Sequence, residues 1–302
     1  MLNQKKVLIA GGSGFIGLKL AKLLTSKNFK VAILSRSQPK SSNYETFKWN
    51  IKKQFIEKEA FRNTDYIINL AGANIAGGRW TKKRKKEILE SRVESTNLLL
   101  KYVQKEHTNL KAYIAVSATG YYGNKTTDQI FNETQDPGND FLANVCYQWE
   151  QASLAFKKSG IRTVILRSGV VFDKDEGAFP KMTQSLKFGF ISGVGSGKQY
   201  IPWIHVNDLL VLFLFCTQND EMQGIYNAVA PSSITQDGLV SRIKSMNKVL
   251  KLPNLPAFIL KLFLGEMASI LLYGSRVSAN KLSSSGFRFK LDSIEDALEK
   301  LL

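Results

Sequence analysis

The sequence predicts an α/β fold, a Rossmann-type doubly wound parallel sheet with a small C-terminal substrate-side region. Three observations predict it. Short β-branched runs alternate with segments of helical period through the first half of the 302 residues. A glycine-rich turn stands between the first run and the first helix. The composition, 44% apolar and 11% aromatic, is that of a chain with a sizeable core rather than a disordered one.

Residues 6–10 and 30–34 read as strands and 15–27 as the helix between them, a βαβ unit. A strand follows at 65–70, then a long helix over 81–105 opened by Thr81 as N-cap. Residues 111–117 read as a strand, 141–158 as a helix and 162–167 as another strand. Strands separated by crossover helices imply a parallel sheet. Beyond about residue 175 the regularity loosens. Four glycines fall between 189 and 197, and 199–208 reads as a strand or loop leading into a helix. Past Pro253 and Pro256 come an apolar helical tract, a serine-rich stretch ending in Phe289, and a last helix from Ser293.

Lys and Arg outnumber Asp and Glu by 42 to 25, a formal charge of +17, and the densest run is Lys82-Lys83-Arg84-Lys85-Lys86. That excess could attract an anionic partner. Yet no zinc-finger, RRM or helix-turn-helix pattern accompanies it and the lysines are scattered, so a nucleic-acid partner is not expected. Two cysteines, Cys146 and Cys216, form no disulfide framework and point to a reducing compartment. The N-terminal apolar run is too short for a signal-peptide core. The apolar stretch 209–216 is too short for a bilayer, and 257–273 is interrupted by Lys261 and Glu266. The expected location is cytoplasmic, without a membrane. The apolar segment 258–273 suits either a partner subunit, as in a homodimer, or packing within the chain. No His, Asp and Cys cluster has metal-ligand spacing, so no metal is expected.

The strongest chemical signal is Gly11-Gly12-Ser13-Gly14-Phe15-Ile16-Gly17. Gly11 permits a tight turn, Gly14 lets a pyrophosphate approach the backbone, and Gly17 lets the helix pack closely on the sheet. The helix N-terminus offers free N–H groups and a favourable dipole to the phosphates. An NAD site usually ends the second strand with a carboxylate for the ribose 2′-hydroxyl. Here the chain reads Leu34-Ser35-Arg36-Ser37. Arg36 can pair with a 2′-phosphate, Ser35 can donate to it, and Lys40 adds positive field. NADP is therefore expected over NAD.

With that turn, Asn69-Leu70-Ala71-Gly72 and Ile204-His205-Val206-Asn207-Asp208, the chain resembles the extended short-chain dehydrogenase/reductases, which include nucleotide-sugar epimerases. Further matches narrow the resemblance: Ala73-Asn74-Ile75, Arg79-Trp80, Glu87 with Ser91-Arg92, Ser117-Ala118-Thr119-Gly120-Tyr121-Tyr122-Gly123, Trp149-Glu150, Arg167-Ser168-Gly169-Val170-Val171, Gly195-Ser196-Gly197, Pro202-Trp203 and Gly286-Phe287-Arg288-Phe289. They look like the atypical epimerase-like family with a short C-terminal extension, sometimes labelled a cell-division inhibitor. The match runs over essentially the whole chain. It implies an NADP-binding Rossmann/epimerase-like domain over 1–250 and a C-terminal extension, 251–302, packed on the main body. It also implies cofactor contacts from the glycine turn, Ser35, Arg36, Leu70, Ala71, Gly72, Glu87, Arg92 and Val171, with Glu87 fixing the direction of Arg92 or meeting a ribose hydroxyl.

Ordinary members use a Tyr and a Lys four residues later for proton exchange. Counting back from Glu150, those positions fall on Leu142 and Cys146; one residue earlier gives Phe141 and Val145. None can do that work. The expected substitutes are Ser117, Tyr122 and Tyr121, with Tyr122 preferred as proton donor because the tyrosine before a glycine in this loop is the one ordinary members keep. Cys146 reads as a buried filler and His205 as a satisfied structural histidine. The expected activity is that of an NADP(H)-dependent oxidoreductase or epimerase-like enzyme on a small hydroxyl- or carbonyl-bearing, nucleotide-sugar-like molecule. A non-catalytic NADP-binding regulatory protein is the alternative.

Overall fold

The computed structural model describes residues 4–37 and 43–302. Lys40 lies outside the described residues. The first βαβ unit is β1 (Lys6–Ala10), α1 (Phe15–Ser26) and β2 (Lys30–Ser35), followed by β3 (Glu45–Asn50), β4 (Phe55–Ile56) and β5 (Tyr66–Asn69). Next come α2 (Lys82–Lys105), β6 (Ala112–Ala118), β7 (Ile130–Phe131), α3 (Phe141–Lys158) and β8 (Thr163–Ser168). The looser part holds β9 (Val170–Phe172), α4 (Phe179–Thr183), β10 (Phe190–Val194), β11 (Tyr200–Ile201), β12 (Trp203–His205), α5 (Val206–Gln218), β13 (Gly224–Ala228), β14 (Ile234–Thr235) and α6 (Gln236–Asn247). The tail is β15 (Leu250–Leu255), α7 (Ala257–Leu264), α8 (Ser269–Leu272), β16 (Arg276–Val277), α9 (Asn280–Ser284) and α10 (Ile294–Leu301).

The main sheet has eight strands in the order β13-β8-β6-β5-β1-β2-β3-β4, parallel throughout except for the β3–β4 pair. The strand order reverses at β1, so the crevice above its C-terminal end, beside β5, is where a ligand binds in such sheets. Period two divides the strands between two cores. Val7, Ile9, Ile33, Ile68 and Ile114 face α1 and α5, while Leu8, Ala32, Ile67, Tyr113 and Ile165 face the side with Leu98, Leu99 and Phe156 of α2 and α3. Both faces of each strand are covered, which is why these strands read as continuous apolar runs.

Strands β3 and β4 were not anticipated. Their burial is partial and β4 has two residues, so neither gives a clear period. The ambiguous 199–208 segment resolves into β11, β12 and the start of α5. Short parallel pairing of β12 with β9 holds the looser part together, and that of β16 with β7 joins the tail to the main body. From the tail, Leu282 and Phe287 enter the core shared with Val7 and Ile9. Among the described residues no helix is long and apolar enough to cross a membrane.

Candidate functional site

The glycine turn follows β1 directly. Gly11 has φ +77°, and a Cβ there would stand 2.9 Å from the Leu70 carbonyl carbon and 3.0 Å from Ala71 N. The turn therefore sits against the end of β5. A Cβ on Gly17 would lie 2.6 Å from Gly11 O and 2.6 Å from Gly12 Cα, so α1 reaches the turn at a distance open only to glycine. Gly14 caps α1 with no side-chain hydrogen bond and no acidic residue in the first turn, leaving the opening amides unclaimed and the dipole uncompensated. Phe15, Leu70 and Val171 are partly buried beside this mouth, Ala71 is buried and Gly72 is exposed. Asn69 fixes that end of β5: its Oδ1 accepts from Ala71 N at 3.1 Å, and its Nδ2 donates to Thr96 and Tyr113.

At the end of β2, Ser35 is buried and Arg36 is exposed, with no ion pair to another described residue. Arg92 lies across Gly72, where a Cβ would come within 3.0 Å of its guanidinium carbon. Its Nη1 donates to Ile88 O at 2.9 Å and its guanidinium sits 5.2 Å from the centre of the Trp149 ring. Burial lowers its pKa. No carboxylate pairs with it among the described residues. Of the two roles expected of Glu87, directing Arg92 is not the one seen: Glu87 accepts from Arg84 at 2.6 Å and stays half exposed, while Arg84 holds the Asn74 carbonyl.

Strand register brings a second group together. Ser117 is opposite Arg167, and Arg167 is opposite Asn227, across β6, β8 and β13. Glu150 of α3 covers them. Ser117 Oγ donates to Glu150 Oε1 at 2.7 Å, and Arg167 grips both carboxylate oxygens, at 2.9 and 2.8 Å. The Tyr122 hydroxyl donates to Asn227 Oδ1 at 2.7 Å and accepts from Arg167 Nη1 at 3.1 Å. Tyr122 is fully buried, and burial pushes its phenol up to about 12 despite Arg167. This corrects the expectation that Tyr122 presents the proton: its hydroxyl is enclosed and doubly bonded. Ser117 is likewise buried, its proton committed to Glu150. Tyr121 keeps 8% of its surface, and its ring lies 3.4 Å from the Arg167 guanidinium carbon. Burial raises its pKa and Arg167 pulls it back. Burial would lower Arg167 itself, but Glu150 more than reverses that.

Leu142 and Cys146 flank Gly120 below this turn. The Cys146 thiol is pushed up to about 12 by burial and is inert as a base. His205 caps α5 through Nδ1. Sequence reasoning missed Asn227 and the structural use of Arg167. A signal existed, since Arg167 and Asn227 are polar residues within apolar strands, but their partners are remote in sequence. Among the described residues no three His, Cys, Asp or Glu side chains gather as a metal site.

Comparison with known proteins finds the same scaffold. The sequence profile described as "NAD dependent epimerase/dehydratase family" matches residues 7–228, and that of a domain of unknown function, DUF1731, matches residues 255–301. The chain is 31% identical over 303 residues to "Epimerase family protein SAR0825" of Staphylococcus aureus (strain MRSA252), covering 99% of each. It is 32% identical to the chloroplastic SDR39U1 homolog of Arabidopsis thaliana, covering 99% of this chain and 87% of that protein. The crystal structure of human epimerase family protein SDR39U1 (isoform2) with NADPH superposes with a TM-score of 0.86 at 29% identity, covering 98% of both chains.

Proposed function

Since the chain belongs to the NAD-dependent epimerase/dehydratase family, we propose that it binds NADP(H) in the crevice above β1 and β5 and acts as an oxidoreductase or epimerase-like enzyme on a small hydroxyl- or carbonyl-bearing molecule. One observation carries the reading: turn and helix approach at Gly11 and Gly17 so closely that any Cβ would strike backbone, leaving the α1 amides free to take a diphosphate. The human relative's complex with NADPH supports the choice of coenzyme. Arg36, exposed at the end of β2 and without an ion pair among the described residues, is the group that takes the 2′-phosphate, with Ser35 donating beside it. Arg92, half-buried against Gly72 and with no carboxylate partner among the described residues, adds its charge to the same crevice.

When bound, the nicotinamide supplies or accepts a hydride at its C4. The chain's own part is to place the substrate and move a proton. Tyr121 is the proton-exchanging group, because it keeps 8% of its surface exposed where Ser117 keeps 1% and Tyr122 none, and its hydroxyl is bonded only to Arg167 among the described residues rather than held between two partners. Arg167 under its ring favours the phenolate. Ser117, Tyr122 and Glu150 position Arg167.

The folded protein should gain more thermal stability from NADPH than from NADH, and Arg36→Ala should erase that preference. An unchanged preference in the variant would sink the coenzyme assignment. Absorbance of bound NADPH, followed against a carbonyl panel, should show turnover that Tyr121→Phe abolishes without loss of coenzyme affinity. A second reading, NADP binding without turnover, is favoured by Leu142 and Cys146 at the usual Tyr and Lys positions. Absence of turnover with every carbonyl would select it.

A further inference from the structure

A cleft of about 480 Å³ opens on the α5 side, between the end of β9, the start of α5 and the tail. That volume is within the range of small-molecule sites. Its walls are Asp173, Lys174, His205, Val206, Asn207, Lys290, Leu291, Lys300 and Leu301, none of them a residue of the coenzyme crevice described above.

His205 decides what the cleft can take. Its side chain is 5% exposed, and its Nδ1 accepts from Asn207 N at 3.1 Å. An accepting Nδ1 carries no proton, so the neutral ring holds its hydrogen on Nε2. That N–H has no acceptor among the described residues, and His205 lines the cleft. Around it Lys174, Lys290 and Lys300 are exposed and have no side-chain carboxylate partner among the described residues; Lys174 Nζ donates to Leu302 O, at 3.4 Å. The one acidic side chain in the wall, Asp173, is already met by Lys19 at 2.6 Å and by the amides of Asp175 and Glu176. Asp208, nearby in α5, is spent on the amides of Lys290 and Leu291. Val206, Leu291 and Leu301 supply buried apolar wall.

We propose that this cleft is a binding site for a small organic phosphate, distinct from the coenzyme crevice. Three exposed ammoniums, two of them with no ion pair or hydrogen bond among the described residues and the third held only by the long contact to Leu302 O, together with one N–H donor suit a dianion better than a monocarboxylate, and the apolar wall suits the body that carries it.

Phenyl phosphate is the probe, titrated into the full chain by calorimetry and followed by phosphorus NMR, with and without NADPH. One saturable site is expected, unaffected by NADPH and retained in Arg36→Ala. The triple variant Lys174→Ala/Lys290→Ala/Lys300→Ala should weaken it by about tenfold or more. His205→Asn keeps an N-cap acceptor and removes the Nε2–H, so it should fold and also bind more weakly. Inorganic phosphate, which leaves the apolar wall uncovered, and benzoate, with one charge, should both bind more weakly than phenyl phosphate. No saturable binding, competition by NADPH, equal affinity in the triple-lysine variant, or tighter binding of benzoate would overturn the assignment.

Discussion

Glu150 and Arg167 form an ion pair with both side chains nearly inaccessible to water. Removing one charge leaves the other stranded, which costs far more than the pair itself contributes. Glu150→Gln should therefore destabilise the fold by about 3–5 kcal/mol in denaturant unfolding, and Glu150→Leu with Arg167→Leu should recover much of that loss. His205 responds to acid. Burial holds its pKa below the ordinary value, against the pull of Asp208 and Asp173 and with the push of Lys19. Below about pH 6.5 the unfolded chain binds a proton that the folded one resists, so stability falls as pH drops through that range. His205→Asn should flatten the melting temperature against pH there. Asp173 is depressed, because Lys19 and two amides outweigh its burial, and its contribution is lost only at lower pH. At this scale the sequence was partly legible. Ser117, Tyr121 and Tyr122 were recognisable as a hydroxyl cluster, but which one faces solvent depends on Asn227, 105 residues from Tyr122. No local pattern encodes that distance.

Helix α1 and its turn show how an element was readable in advance. The glycine spacing and the β-branched run before it specify a strand, a turn and a helix whose approach distance is fixed by missing side chains. Gly17→Ala should force the turn and helix apart, costing about 1–3 kcal/mol in chemical denaturation and most of the NADPH affinity in titration. Unaltered affinity would mean that the crevice tolerates the shift. Helix α2 was equally legible, with Thr81 accepting from Arg84 N as its cap. The lysine-rich start of α2 is less an anion trap than a set of local ties. Lys85 reaches Glu266 in the tail, Lys86 pairs with Glu90, and Arg84 pairs with Glu87. Strand β9 escaped notice and β12 was legible only as a strand or loop, because a parallel pair of three residues each is made by its neighbours rather than by its own period.

Across the whole molecule, the tail is part of the core rather than an appendage. Phe287 is 2% exposed and stacks edge-on against Phe215 of α5 and Phe289. Asp208 grips the backbone at Lys290 and Leu291, and α10 completes the cluster around Trp203. Ending the chain at residue 254 should expose both clusters and give a protein without a cooperative melt. A sharp transition in that truncation would show that the first 254 residues fold alone. The alternation of strand and helix made the sheet legible from sequence. That the tail packs on the main body was expected too; which of its residues enter which cluster was not, because its apolar residues have no period that distinguishes inward packing from a partner face.

That docking has a consequence for synthesis. Val7 and Ile9 are made long before Leu282 and Phe287, yet all four belong to one cluster. During synthesis that face of the sheet stays incompletely covered until Leu282 and Phe287 have emerged. Completion of this core should accordingly come late in synthesis, and demand for chaperones should be greatest before Phe287 emerges.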